Sequence, residues 1–165
     1  MSWRYSFFSF LCLTVLMTGC GFTPIYEKKG EHQTSRLSGV QVTSIPGRQG
    51  QILTTALEDL LDPESLAGPT LYTLDTSVSV NYIPIIIETD GTVSRYRIDI
   101  IVPLYLRDAA NGVIVFTSKV RRSVSYTVSD SDYTSYISSE DAMERGIQEA
   151  AYDVVQRVSA FLIKP

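Results

Sequence analysis

Residues 95–107 read Arg-Tyr-Arg-Ile-Asp-Ile-Ile-Val-Pro-Leu-Tyr-Leu-Arg, and the alternation in this stretch decides the fold class. Even-numbered positions from 96 to 106 are apolar, whereas Arg95, Arg97, Asp99 and Arg107 occupy positions between or beside them. Because successive side chains of a strand point to opposite faces, the pattern predicts a β-strand with one dry and one wet face. Such strands are typical of antiparallel sheets that are covered on one face only.

Two turn signals flank this strand. Asp90-Gly91 precedes it and Asn111-Gly112 follows it, and both dipeptides favour β-hairpins. The segments beyond these turns, residues 72–82 and 114–128, also alternate between apolar and polar side chains. The three segments are therefore predicted to form an antiparallel meander.

Two other segments have the helical period. The first is expected to end at Asp62-Pro63, and the second to begin at Ser138 or Ser139, after a polar loop at 129–137. Each has one apolar stripe. The stripe residues are Ile52, Leu53, Ala56, Leu57, Leu60 and Leu61 in the first, and Met143, Ile147, Ala150, Ala151, Val154, Val155, Val158, Phe161 and Leu162 in the second.

These elements predict an α+β fold. A short strand at 40–45 precedes the first helix, so the order is β-α-β-β-β-α. Both helices need an apolar partner, and the sheet offers one dry face. We therefore expect a two-layer sandwich, with a four-stranded, mostly antiparallel sheet and two helices packed on one face. The opposite face is left open and polar.

The first twenty residues have the layout of a secretory signal. Arg4 precedes an apolar stretch at 7–17, and small residues lead to Cys20. The apolar stretch is too short for a bilayer span, which needs ~20 residues. The cysteine directly after Thr18-Gly19 is typical of a bacterial lipoprotein signal, in which Cys20 becomes the N-terminus and carries a diacylglycerol and an acyl chain. The alternative is an ordinary cleaved signal with an incidental cysteine.

The predicted domains follow from this signal. Residues 1–19 are a lipoprotein signal peptide, 20–39 a lipidated N-terminal tether, and 40–165 a single α+β domain. Cys12 would leave with the signal, and acylation would remove the remaining thiol, which is a liability in an oxidising compartment. Gly21, where an inner-membrane retention signal would have Asp, favours an outer-membrane location.

Composition argues against several classes of function. The 165 residues carry a net charge of −4, without the basic stripe of a nucleic-acid binder. The only histidine is His32, in the tether, so a Ser-His-Asp or Cys-His site lacks a base and a His/Cys metal site lacks ligands. We expect no enzyme, no metal and no cofactor beyond the covalent lipid on Cys20.

Four basic residues are the candidate binding residues. Arg95 and Arg97 lie on the polar face of one predicted strand, and Lys119 and Arg121 lie on that of its hairpin partner. A cluster of these cations would suit phosphate or carboxylate ligands. Two alternatives stay open: a solvated face on which Asp99 pairs with an arginine, or a wet protein interface. Arg122 interrupts the alternation and is expected to mark a bulge or twist.

The run Cys20-Gly21-Phe22-Thr23-Pro24-Ile25-Tyr26 resembles the mature start of the lipopolysaccharide-assembly lipoprotein family LptE (RlpB), particularly its alphaproteobacterial members. The order of elements is similar too, as are the start of the first helix at Arg48-x-Gly50-Gln51, the Arg95-x-Arg97 strand and the long C-terminal helix. The likeness covers most of the chain after the signal.

The resemblance implies an outer-membrane lipoprotein that plugs and assists assembly of the LptD β-barrel. That pair would insert lipopolysaccharide into the outer leaflet, and basic residues would contact lipopolysaccharide. Arg95, Arg97, Lys119 and Arg121 are candidates from their placement alone. The main alternative is a periplasmic adaptor lipoprotein of an envelope lipid-transport complex. A lipid carrier is disfavoured because the dry faces are dense in Ile, Val and Leu, which indicates a packed core.

Overall fold

The computed structural model of the chain describes residues 37–62 and 69–163. It contains five strands, β1 (Val40–Val42), β2 (Tyr72–Thr76), β3 (Ser79–Ile87), β4 (Val93–Asp108) and β5 (Ile114–Thr127), and two long helices, α1 (Arg48–Leu61) and α2 (Asp132–Ile163). The signal peptide, Cys20, His32 and Pro63 lie outside the described residues.

Strand β4 is the axis of the sheet. Strand β5 pairs with it antiparallel along one edge, from Arg95↔Thr127 to Arg107↔Ile114. The other edge pairs antiparallel with β2 near one end and with β3 near the other. Short β1 adds to β2 in parallel. The alternation at 95–107 thus marked the strand on which the rest of the sheet is built.

The sheet has five strands, not the four predicted, because the segment at 72–82 is interrupted. Strands β2 and β3 keep one register against β4, since Thr76 faces Leu104 and Ser79 faces Ile101. The gap falls opposite Pro103, which has no N–H to donate. The Thr76 hydroxyl donates instead to the Pro103 carbonyl, at 2.7 Å. The sheet is four strands wide, with β2 and β3 end to end.

Both predicted hairpins are confirmed. Gly91 and Gly112 have positive φ values of 88° and 70°, a conformation that glycine adopts without a steric cost. Strand β3 runs five residues beyond the predicted end at Tyr82, and its register against β4 shifts around Ile86. These irregularities leave the isoleucines at the end of β3 exposed.

The two helices cover the same face of the sheet, as predicted. Leu53, Leu57 and Leu61 of α1 and most of the apolar stripe of α2 join the even-numbered residues of β4 from Ile98 to Leu106 in one buried core. Helix α2 approaches closely at Gly146, where an added Cβ would lie 2.4 Å from Ile100 Cδ1. Within the described ranges, no helix is both long and apolar enough to span a bilayer.

The second helix starts earlier than predicted, at Asp132 instead of after Ser138 or Ser139. The Ser131 side chain accepts a hydrogen bond from the Thr134 N–H at 3.4 Å, and the Ser135 N–H donates to the Ser131 carbonyl at 3.0 Å. Ser131 therefore takes the N-cap position. Residues 132–137 of the predicted loop form the first turns of α2 instead, and most of their side chains are exposed.

Candidate interaction surface

The open face of the sheet is the candidate interaction surface, because both helices pack on the other face. Its members follow from the register of β4 and β5, which places their odd-numbered residues on the same side. From these two strands they are Arg95, Arg97, Asp99, Ile101, Pro103, Tyr105 and Arg107, and Thr117, Lys119, Arg121, Ser123, Ser125 and Thr127. The face is mostly polar, as the alternation predicted.

The structure places the four candidate cations on this face but in two separate pairs. Arg97 lies opposite Ser125, whereas Arg121 lies opposite Ile101. The two rows are four residue steps apart along β5, which corresponds to ~13 Å. The four cations therefore do not form one compact cluster, although a large ligand or a protein can contact both pairs.

The pair near the β3–β4 hairpin already has partners on the sheet. Arg97 Nε lies 3.0 Å from Asp99 Oδ1, and the Ser123 hydroxyl donates to the same oxygen at 2.6 Å. Arg95 Nη2 donates to Thr127 Oγ1 at 3.4 Å. For this pair the structure matches the alternative of a solvated face on which Asp99 pairs with an arginine. Exposed ion pairs of this kind contribute only ~0–1 kcal/mol to stability.

Lys119 and Arg121 are the more available cations. Both are exposed, and neither forms an ion pair with any residue in the two described ranges. They stand two residues apart on β5, whose other edge pairs with no strand among the described residues. Exposed cations on an edge strand also discourage edge-to-edge pairing between molecules. The exposure of Lys119 and Arg121 is therefore consistent with two roles, ligand binding and protection of the sheet edge.

A third polar group on this face ties the strands together. Asp75 of β2 accepts hydrogen bonds from Thr43 Oγ1 at 2.7 Å and from Arg107 Nε of β4. These hydrogen bonds, that from Thr43 first, hold the pKa of the Asp75 carboxyl below its ordinary value. Sequence reasoning missed this network because Thr43 and Asp75 are distant in the chain.

Arg122 does not mark a bulge, contrary to the expectation. It pairs in register with Ile100 and faces the helices, where its Nε and Nη2 donate to both carboxylate oxygens of Asp153 at 2.7 Å. This two-pronged contact attaches α2 to the edge strand β5. Arg122, the charged residue on the otherwise apolar face of β5, is thus paired with Asp153 of the helix that covers this face.

A groove lies between α1 and α2 on the side away from the sheet. Its volume is about 650 Å³, and its lining includes Gln51, Thr55, Asp59, Gln148 and Tyr152. In the two described ranges, no group of three or more His, Cys, Asp or Glu residues is arranged to hold a metal ion. The groove therefore presents mixed polar and apolar side chains and no evident metal site.

The comparison with known families gives a match along most of the domain. The family model described as "LptE: Lipopolysaccharide-assembly" matches residues 37–158, from the residue before the first turn to the last part of α2. None of the proteins with curated descriptions matches this chain significantly.

Solved structures of bacterial lipoproteins have the same fold. A candidate lipoprotein from Caulobacter crescentus CB15 shares 26% identity, with a TM-score of 0.67, covering 82% of this chain and 98% of that one. Rare lipoprotein B from Shewanella oneidensis shares 11% identity (TM-score 0.58; 75% and 96% covered). A minor lipoprotein from Acinetobacter baumannii shares 14% (TM-score 0.60; 74% and 92% covered). The last two likenesses concern the fold alone.

Proposed function

The chain belongs to the LptE family of lipopolysaccharide-assembly proteins, and from this premise we propose that it is an outer-membrane lipoprotein that plugs an LptD-type β-barrel. In this proposal it also assists assembly of the barrel, and the pair inserts lipopolysaccharide into the outer leaflet. The role is one of binding and assembly, without catalysis.

The observation that carries the proposal is the family match over residues 37–158. The open face of the sheet supports it physically. The lumen of a large outer-membrane barrel is polar and wet, and a plug needs polar surface where it meets the wall. Threonine, serine and charged side chains dominate the open face, while the helices seal the core on the other face.

Lys119 and Arg121 are the proposed contact for lipopolysaccharide. Phosphate groups bind well to lysine and arginine, and these two cations have no acidic partner among the described residues. Along the strands, Arg97 lies ~13 Å and Arg95 ~20 Å from Arg121 on the same face. This second pair would meet the barrel wall or a second charged group of the same large ligand.

The proposed location depends on Cys20. Lipidation at this residue, after removal of residues 1–19, would anchor the chain in the outer membrane, and residues 20–39 would connect the anchor to the domain. Two or more apolar chains make such anchoring stable, because each buried methylene contributes ~0.8 kcal/mol. The lipid is then a covalent part of the protein rather than a cofactor.

The test is to purify a tagged version of the chain from detergent-solubilised outer membranes and to identify co-purifying proteins by mass spectrometry. We expect one large β-barrel in stoichiometric amount, stable in moderate salt. Cells that express the untagged chain serve as the matched control for proteins that bind the resin.

Recovery of an inner-membrane transporter instead would contradict the plug and favour the alternative, an adaptor lipoprotein of an envelope lipid-transport complex. Recovery of no partner would also contradict it, because a plug that fills a barrel buries a large interface, and complexes of this kind dissociate slowly.

A further inference from the structure

The chain that leads from the N-terminus enters the domain beside the turn between β4 and β5. The Gly39 carbonyl accepts hydrogen bonds from the N–H groups of Leu71 and Tyr72, at 2.8 and 3.0 Å. Tyr72 in turn pairs with Asp108, the last residue of β4. We call this the entry end of the domain. The β3–β4 hairpin lies at the opposite end of β4.

The entry end carries exposed apolar side chains. Leu71 is 44% exposed, and Val113, Ile114 and Val115 are 58%, 44% and 37% exposed. Backbone hydrogen bonds make these residues neighbours: the Ala109 N–H donates to the Leu71 carbonyl and the Asp108 N–H to the Val113 carbonyl, both at 3.0 Å. They therefore form one surface around the end of β4.

The C-terminal helix contributes to the same surface. The ring of Phe161 in α2 stacks on that of Phe116 in β5, with centroids 4.9 Å apart. Phe116 is only two residues from Ile114, so α2 ends at the entry end. Ile163, the last residue of α2, is 55% exposed there. We call these five residues the entry-end surface: Leu71, Val113, Ile114, Val115 and Ile163.

Side chains of the turn accept hydrogen bonds from three of its backbone N–H groups. Asp108 Oδ1 accepts hydrogen bonds from the N–H groups of Ala110 and Asn111, at 2.8 and 3.3 Å. Asn111 Oδ1 accepts one from the Val113 N–H at 2.9 Å. The turn keeps these hydrogen bonds in the interfacial region of a bilayer, where water and lipid headgroups still solvate the charged Asp108 carboxylate.

The length of chain between Cys20 and the entry end indicates what covers this surface. Seventeen peptide units link Cys20 to Leu37, and a chain of that length spans at most ~60 Å. Strand β4 has 16 residues, so the hairpin at its far end lies another ~50 Å along the strand. The far end could touch the bilayer only with this link stretched close to its limit, whereas the entry end can touch it at any extension. A lipid on Cys20 therefore gives the bilayer its highest local concentration at the entry end.

We propose that the entry-end surface is a second membrane contact, which inserts Val113 and its apolar neighbours into the interfacial region of the phospholipid leaflet that holds the anchor. The contact deepens the proposed function and rests on its anchoring of Cys20. It describes the lipidated chain on a membrane before it meets a partner, and it would set the domain upright with the β3–β4 hairpin pointing away from the leaflet.

The sequence offers a clean experiment. After residue 19 the chain has one cysteine, Cys20, and no tryptophan, since Cys12 and Trp3 lie in the signal. The mature chain is coupled through Cys20 to a maleimide phospholipid in vesicles of phosphatidylethanolamine and phosphatidylglycerol. Val113→Trp reports on the entry end, and Ile87→Trp is the matched control at the far end, where Ile87 is 63% exposed.

Lipids brominated on the acyl chains quench tryptophan that enters the bilayer. We expect quenching and a blue shift of emission for Val113→Trp, and neither for Ile87→Trp. Equal quenching of the two variants, or none in either, would overturn the proposal. A blue shift without quenching would overturn it as well, because it would indicate burial against a second protein copy.

Two measurements keep these outcomes interpretable. Far-UV circular dichroism and thermal unfolding confirm that both variants fold like the parent chain. The coupling to Cys20 is chemical, so the result depends neither on lipidation in cells nor on a barrel partner. Failure of the membrane contact is thus distinct from failure of the proposed function, which the co-purification tests.

Discussion

At the scale of single residues, Asp75 links three parts of the sheet. It accepts hydrogen bonds from Thr43, just after β1, and from Arg107 on β4. Its side chain is one-third exposed and that of Arg107 is 41% exposed. For Asp75→Asn we expect a loss of about 1 kcal/mol in the free energy of unfolding at pH 7, measured by urea denaturation.

The loss should depend on pH in a definite direction. The pKa of Asp75 is lowered below 3.8 in the folded protein, so its stabilisation is complete above that value and fades as pH falls through the lowered pKa. Wild type and Asp75→Asn should therefore converge in strongly acidic solution. Asp59→Asn, an exposed acid on α1, is the control, and an equal loss there would contradict the assignment.

The proposed contact of Lys119 and Arg121 with lipopolysaccharide can also be tested by changing these two side chains. Reversing both charges to Glu should weaken lipopolysaccharide binding about tenfold in low salt, because two charge-assisted contacts are lost. The unfolding temperature should not change, since both side chains are exposed. Binding to immobilised lipopolysaccharide measures the affinity.

Reversal of Arg145 and Arg157 on α2 changes the net charge by the same amount and is the matched control. If both double variants bind like wild type at low and moderate salt, the two cations on β5 protect the edge of the sheet and bind no ligand.

At the scale of elements, α2 is held to the sheet by its buried stripe. Val154 is fully buried in the core, and an unpaired carboxylate there costs several kcal/mol, a large share of the ~5–15 kcal/mol by which domains are stable. Val154→Asp should abolish cooperative thermal unfolding, followed by circular dichroism. Gln156→Asp, an exposed position two residues away, should unfold like wild type; if both do, α2 does not pack by this face.

The helices and strands also show which structural features the periodicity of apolar residues predicts and which it does not. The stripe of α2 and the alternation of β4 predicted both elements because each pattern reports which side chains meet the core. The start of α2 was missed because Ser131 caps turns whose side chains are mostly exposed, so no apolar stripe marks them. The gap between β2 and β3 was missed because its cause, Pro103, lies on the neighbouring strand.

At the scale of the whole molecule, the proposed lipid anchor on Cys20 would decide where the domain operates. Cys20→Ala should leave an unprocessed chain that incorporates no palmitate in cells and is lost from the outer-membrane fraction. Cys12→Ala removes the other cysteine, in the signal itself, and should incorporate palmitate like wild type. Labelling of the Cys20→Ala chain would contradict the lipoprotein assignment.

The sequence by itself determined the α+β class, both hairpins, the covered face and the family, because these depend on local period, turn residues and short motifs. The tertiary structure alone decided which charged residues meet. Arg97 pairs with Asp99, Arg122 with Asp153, and the four candidate cations form two pairs instead of one cluster. Register and helix placement set these distances, and both arise from packing between segments that are far apart in the chain.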